Sequence, residues 1–374
     1  MREVNSFSVD HPRLDDRKRI LVISDIHGNL AYLRGLLQKL HLRSDDQLIL
    51  LGDLVEKGPE SLNTLRYILS LREKCRLYPV LGNCDYWHLW VDENSAQWFG
   101  EGWDRATMTH LLRQKAAARR GLLLDMCAEL AFPLREDTDV PGLKAALREA
   151  FPAEFDFLRS MPFALETDEY AFVHGGIPAG ETLESAGAWK CMKLDIFYAS
   201  RPHMKKWTVV GHTPVCLYGK STISAAPIID KGCRLVSIDG GCVLKDDGQL
   251  NALIIRKGQF SVDWYDSYPL AKAKTPQRRS SRSAYIRWGD NEVFPLVLGR
   301  DWCTVRHVRT GYEMEVPTDF LFESEGVLRV SDVTDYRPEV RPGDVLSVVR
   351  QTDRGYWIKK DGVSGWYSGE LKFL

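Results

Sequence analysis

No apolar run in the chain approaches the 18 or more residues that a membrane-spanning helix requires. Its apolar stretches, such as Ile20 to Ile23 and Leu48 to Leu51, are far shorter. Membrane insertion is therefore not expected. A charge excess is missing too: 50 Lys and Arg stand against 51 Asp and Glu, a formal net charge of -1. No global field recruits nucleic acid or an anionic membrane, so nucleic-acid binding is not expected. The first residues, Met1-Arg-Glu-Val-Asn-Ser, lack the apolar core of a secretory signal, which makes the cytoplasm the expected location. The eight cysteines (75, 84, 127, 191, 216, 233, 242 and 303) include no C-x-x-C pair, which argues against a disulfide framework and against a structural zinc site.

What remains is an ordinary globular composition, 44% hydrophobic and 27% charged over 374 residues, enough for about two domains. From residue 19 to 266 a short apolar run is followed repeatedly by a Gly-rich or polar loop and an amphipathic stretch, an α/β signature. The runs at 19–23, 47–51, 77–81, 170–173, 207–210 and 235–238 read as strands, with helices over 30–40 and 62–71. Residues 86–165 carry helical spacing and read as an insertion. Residues 1–18 read as a tail. Residues 267–283 include Ala271-Lys-Ala-Lys-Thr-Pro-Gln-Arg-Arg-Ser-Ser-Arg-Ser, basic and almost devoid of apolar side chains, and read as a solvated linker. Beyond them, 284–374 alternates Val, Trp and Tyr with Gly turns and reads as a small all-β module.

The loop after each strand holds the chemistry. These loops read Asp25-Ile-His27, Gly52-Asp53-Leu-Val-Glu56-Lys57-Gly58, Gly82-Asn83-Cys84-Asp85, His174-Gly-Gly176, Gly211-His212-Thr-Pro214 and Asp239-Gly-Gly-Cys242. Loops at the carboxyl ends of strands meet at one edge of a sheet, so distant residues can converge there. The shortlist is Asp25, His27, Asp53, Asn83, His174 and His212, and such oxygen and imidazole donors suit Mn, Fe, Zn or Mg. His11, His41, His110, His203 and His307 read as incidental histidines. Trp87, Trp90, Trp98 and Trp103 read as core or lid packing rather than a base-stacking platform.

In this order the loops resemble the calcineurin-like metallophosphoesterases, and within them the Ser/Thr phosphoprotein-phosphatase-type group, with its D-x-H, GD-x-x-D-R-G, GNHE, H-x-G and GHTP pattern. The resemblance covers about 19 to 262. It implies a four-layer αββα sandwich and two divalent metal ions, manganese first among the candidates. One ion would be held by Asp25, His27 and Asp53, the other by Asp53, Asn83, His174 and His212. It further implies that a hydroxide bridging the two ions attacks phosphorus. Catalytic places fall to Asp53, Glu56, Lys57, Cys84 and Asp85, and phosphate-binding places to Lys57, Asn83, His174 and Lys190. The implied activity is hydrolysis of phosphate monoesters, on a phosphorylated protein or a small phosphoester.

Three positions depart from that pattern. Cys84 stands where the group has a His that protonates the leaving oxygen, and a thiol of pKa around 8.5 is a poor replacement. Cys there is instead similar to the bacterial phosphodiesterase branch, yet Pro214 occupies the second His of that branch's GH-x-H. Lys57 replaces a bidentate Arg by a point charge. The second family Arg has no clear counterpart near Trp189, leaving Lys190 or Lys193. His88, four residues after Cys84, is a candidate relocated acid. The alternatives are therefore a phosphodiesterase or dinucleoside polyphosphate hydrolase of the same fold, or a metal-binding scaffold. Residues near 320–374 resemble a Src-homology-3-like barrel, expected to pack on or gate the enzyme in preference to binding a peptide partner.

Overall fold

The computed structural model describes residues 8–92, 95, 100 and 102–374. They form two compact units. The first comprises Met1–Thr213, Pro227–Leu244 and Gln249–Tyr265; the second comprises Pro214–Ala226, Lys245–Gly248 and Asp266–Leu374.

The first unit is built on two sheets. One has the order Gln259–Tyr265, Leu250–Arg256, Ile20–Ile23, Gln47–Leu51 and Arg76–Val80. Its last three strands are parallel, with Ile20 opposite Gln47 and Gln47 opposite Arg76. The other has the order Val9–Asp10, Ala164–Glu166, Tyr170–Val173, Trp207–Val210, Leu235–Ser237 and Ile228–Asp230. There Tyr170–Val173, Trp207–Val210 and Leu235–Ser237 run parallel.

Alternation along the strands explains why these runs are apolar on both faces. Ile20 and Val22 pack with Ile49, Leu51, Phe172, Val209 and Val236 in a core shared by the two sheets. Leu21 and Ile23 point the other way, into a second core with Leu33 and Leu36 of the helix Leu30–Lys39 and Leu65 of the helix Ser61–Ser70. The helices Leu30–Lys39 and Ser61–Ser70 thus cover that face of the first sheet. Burial of each such aliphatic side chain contributes about 1.5–3 kcal/mol.

The insertion is helical among its described residues: Trp87–Val91, Trp103–Ala116, Leu122–Glu129, Val140–Ala150 and Pro152–Arg159. Trp90 is fully buried in the core, while Trp98 lies outside the described residues. The expected tail is not all tail, because Val9–Asp10 pairs with Ala164–Leu165 at the sheet edge.

The second unit is dominated by β-structure. A six-stranded sheet has the order Leu371–Phe373, Leu270–Ala273, Val345–Thr352, Gly355–Lys360, Val363–Tyr367 and Ile223–Ser224. Smaller sheets, including Val293–Val297, Trp302–His307 and Glu313–Pro317, enclose a separate core of Ile286, Val305, Val316 and Val330. The stretch expected as a linker is part of this fold. Ala271 and Ala273 bury between the strands while Lys272 stays outside, so the small residues between the lysines, not the charge, decide its structure.

Candidate active site

Five parallel strands of the first unit, Ile20–Ile23, Gln47–Leu51, Arg76–Val80, Tyr170–Val173 and Trp207–Val210, each lead into a loop that carries a shortlisted residue. After Ile23 comes Asp25, after Leu51 Asp53, after Val80 Asn83, after Val173 His174, and after Val210 His212. Backbone hydrogen bonds lace these loops together: Asp25 donates to Gly52, His27 to Asp53, and Gly211 to His174. Four of the shortlisted residues adopt left-handed backbone, Asp25 (φ 55), His27 (φ 50), Asp53 (φ 51) and His212 (φ 66). None is a glycine, and each such conformation costs on the order of 1 kcal/mol, a strain that collects at functional sites. Two glycines are required by closeness. A Cβ on Gly82 would overlap Asp53, and one on Gly211 would overlap Ser24 and Asp25.

The side chains meet on Asp53. His174 Nε2 lies 3.3 Å from its Oδ1, and His27 Nε2 lies 3.7 Å from its Oδ2 and 3.9 Å from Asp25 Oδ1. Metal-ligating atoms of Asp53, His174 and His212 fall within 4.8 Å of one another, as do those of His27, Asp53 and Cys84. Asp53 belongs to both groups. Asp25 Oδ1, both His27 ring nitrogens, Asn83 Oδ1 and His174 Nε2 are buried without a hydrogen-bond partner among the described residues. Buried polar atoms are normally paired, so this group of unpartnered donors around Asp53 has the chemistry of a metal-ligand set. Hard oxygen and imidazole donors around one shared carboxylate fit two divalent ions.

Neighbours orient these donors. His174 Nδ1 is 2.9 Å from the Leu51 carbonyl, which leaves Nε2 for a metal. His212 Nε2 is 2.8 Å from Asp195 Oδ1, which leaves Nδ1. Asp25 Oδ2 accepts from the His212 backbone and from Ser24 Oγ, and Asp53 Oδ1 accepts from the Cys84 backbone. Burial disfavours charge on His174, but Asp53 and Asp25 overcome it and lift its pKa to about 10. Burial drives His27 the other way, to about 3. A cation must displace the His174 proton, so metal loading rises with pH.

Beside this centre lies a cavity of about 740 Å³, whose lining includes Lys57, Asn83 and Cys84. Burial lowers Lys57, but Cys84, Asp53, Asp25 and Asp239 raise it further, so the ammonium stays charged. The Cys84 thiol is pushed well up by burial and by Asp53.

Other expected residues have different tasks. Glu56 also lines the cavity, but its Oε1 accepts from the Leu122 backbone at 2.7 Å, so it holds the helix Leu122–Glu129 of the insertion. Asp85 is fully buried and accepts from the backbones of Leu54, Val55 and Gly82 at 2.9, 3.2 and 3.0 Å. With its oxygens so engaged it braces the Asp53 loop against the Asn83 loop and is not free to reach substrate. Lys190 is not among the cavity residues, and its ammonium sits 3.4 Å from Glu181. Lys193 instead pairs with Asp195 at 3.7 Å, beside His212. His88 is buried, 3% exposed, in the short helix Trp87–Val91, and does not line the cavity.

Several residues were not on the shortlist. Asp239, in the loop after Leu235–Ser237, is fully buried with Oδ2 unpartnered among the described residues. Its position after a strand was the available signal. Asp195, and the cavity residues Trp103, His110 and Arg119, had none, because nothing local in the sequence ties an insertion or a loop to the metal edge.

Residues 18–216 match the calcineurin-like phosphoesterase family. The chain belongs to that family. This bears out the expected membership of the calcineurin-like metallophosphoesterases. A relative from Pseudomonas fluorescens, named "Bis(5'-nucleosyl)-tetraphosphatase, symmetrical", is 33% identical over 165 residues, 44% of this chain and 45% of that protein. A protein of the same name from Cellvibrio japonicus is 32% identical over 165 residues, 44% and 47% of the two chains. The chain thus spans under half the length of these relatives. Among solved structures, a protein serine/threonine phosphatase from Saccharomyces cerevisiae is similar over 70% of this chain and 84% of its own, at 12% identity and a TM-score of 0.39. That level of likeness carries no argument about activity.

Proposed function

We propose that the protein is a two-metal hydrolase of phosphoanhydrides, cleaving dinucleoside polyphosphates. Asp25, His27 and Asp53 would hold one cation, and Asp53, Asn83, His174 and His212 the other. When bound, the cations supply an activated water and neutralise charge on the phosphoryl oxygens. Lys57, charged and in the cavity wall, binds the phosphate chain as a point charge.

The observation that carries the choice of substrate is the residue beside Asn83. Cys84, a thiol, shares a 4.8 Å cluster with His27 and Asp53 where an efficient proton donor would serve a poor leaving group. Serine alkoxide needs that proton. A nucleoside diphosphate leaves as a stabilised phosphate anion and does not. In the reaction the water oxygen bonds to phosphorus while the bridging P–O bond breaks. Its electron pair leaves on the second nucleotide, and the water protons pass to solvent or to the new phosphate. The names of the relatives point the same way, so the monoesterase reading that comes first from the motif order finds less support than its alternative.

The test is product analysis. Full-length protein loaded with Mn, given diadenosine tetraphosphate, is expected to yield ADP as sole nucleotide product if the split is symmetrical. ATP with AMP would mean an asymmetrical cut. Asp53→Asn is expected to lose more than about a hundredfold in rate. No nucleotide product from wild-type protein under these conditions would refute the proposal.

A further inference from the structure

The cavity does not end at the metals. From Lys57 and Asn83 it extends along the insertion, where Trp103, His110, Gln114 and Arg119 form its far lining. Aromatic rings there are continuous: Tyr86 lies 5.6 Å from Trp189 and 5.7 Å from Trp87, and Trp87 stacks at 6.3 Å and 24° on His110. A volume of about 740 Å³ lies within the range for ligands of nucleotide size. Packing alone does not account for the arrangement. Trp90 of the same short helix is fully buried, as a core residue should be, whereas Trp103 is only partly buried and faces the cavity.

We propose that this part of the cavity is the nucleoside subsite, in which Trp103 and the Tyr86, Trp87 and His110 wall stack a nucleobase while Arg119 holds the phosphate chain running to Lys57. The claim rests on the phosphoanhydride reading for its substrate and adds where the base is recognised. Two features favour a base over a phosphorylated peptide, and a third, Arg119, would hold the phosphate of either. Flat rings in series offer π-faces, which every nucleobase matches and a phosphoserine does not. Arg119 makes no ion pair among the described residues and stands at the cavity with a bidentate guanidinium. Gln114 Oε1 is buried without a hydrogen-bond partner among the described residues, an acceptor suited to an exocyclic amine. The insertion is tied to the metal loops by Glu56, whose carboxylate caps Leu122, so the subsite and the metal centre share one frame.

Binding of ADP to the Mn-loaded full chain, followed by isothermal titration calorimetry, tests this beside the kinetics. Trp103→Ala is expected to weaken ADP about tenfold, the size of one lost base stack, and Trp103→Phe to restore most of it. Arg119→Gln is expected to weaken ADP and to reduce the salt dependence of its binding. For diadenosine tetraphosphate, Trp103→Ala raises KM by a similar factor with kcat nearly unchanged. Unaltered ADP affinity and KM in Trp103→Ala would overturn the subsite even if the tetraphosphate is split. ADP binding that depends on Trp103, in a protein that splits no dinucleoside tetraphosphate, would uphold the subsite and remove the substrate reading instead.

Discussion

His174 Nδ1 lies 2.9 Å from the carbonyl oxygen of Leu51, the last residue of the strand that delivers Asp53. The same strand therefore presents the shared carboxylate and sets the tautomer of the imidazole that faces it. Nε2, 3.3 Å from Asp53 Oδ1, is the nitrogen left for a cation. His174→Ala is expected to reduce bound Mn from two ions per chain to one after gel filtration, measured by elemental analysis. Two ions retained at wild-type affinity would contradict this ligand assignment.

Asp85 takes three backbone donors, from Leu54, Val55 and Gly82, across the two loops that carry Asp53 and Asn83. Asp85→Ala leaves those buried N–H groups unpaired, at a cost of about 3 kcal/mol or more. Its urea midpoint should fall sharply and its metal affinity with it. Asp85→Asn keeps one acceptor oxygen and should fall between. A variant as stable as wild type would mean that the brace is dispensable.

Burial raises the Glu56 carboxyl to about 7 from an ordinary value of 4.5. Between those pH values the folded protein holds a proton that the unfolded chain has lost, so this group makes stability fall as pH rises through the window. The full effect is about 3 kcal/mol. Glu56→Gln keeps an acceptor for the Leu122 N–H and cannot ionise. Urea unfolding at pH 5 and pH 7.5 should therefore show the variant gaining on wild type at the higher pH. An equal pH slope in both proteins would refute the buried acid.

Gly82 allows the approach of two loops rather than an unusual backbone angle. Its missing Cβ is where the Asp53 backbone nitrogen and Oδ1 lie. Gly82→Ala is expected to displace Asp53 and lower Mn affinity at least about tenfold, with a loss of stability of about 2 kcal/mol. Calorimetric Mn titration reads the first effect and thermal melting the second. Wild-type Mn affinity would show that the loops can part without harm.

The metal edge was legible because each donor directly follows a short apolar strand, and parallel strands put such positions together whatever their separation in sequence. Asp25 and His212 are 187 residues apart, yet the His212 backbone donates to Asp25 Oδ2 at 3.0 Å. Residues whose role depends on side-chain direction were not legible. Asp85 and Glu56 look like catalytic carboxylates beside the motif, and only the geometry shows one bracing two loops and the other capping a helix. His110 looked incidental because it sits mid-helix with no motif around it, although it lines the cavity. The stretch 267–283 looked like a linker because its charged residues are all basic and it is almost devoid of large apolar side chains. Ala271 and Ala273, small enough to vanish from a hydropathy pattern, decide its place in a sheet.

The central claim is that two cations on Asp53 and its neighbours cleave a bond whose leaving group needs no strong acid. The direct measurement is kcat/KM of the Mn-loaded protein for diadenosine tetraphosphate against p-nitrophenyl phosphate and a phosphoserine peptide, with Asp53→Asn as control. The account predicts a preference for the tetraphosphate of at least about a hundredfold over the peptide, from the two to four orders of magnitude that a general acid contributes where it is needed. It also predicts loss of all three activities in the control. A phosphoserine peptide turned over as fast as the tetraphosphate would contradict it.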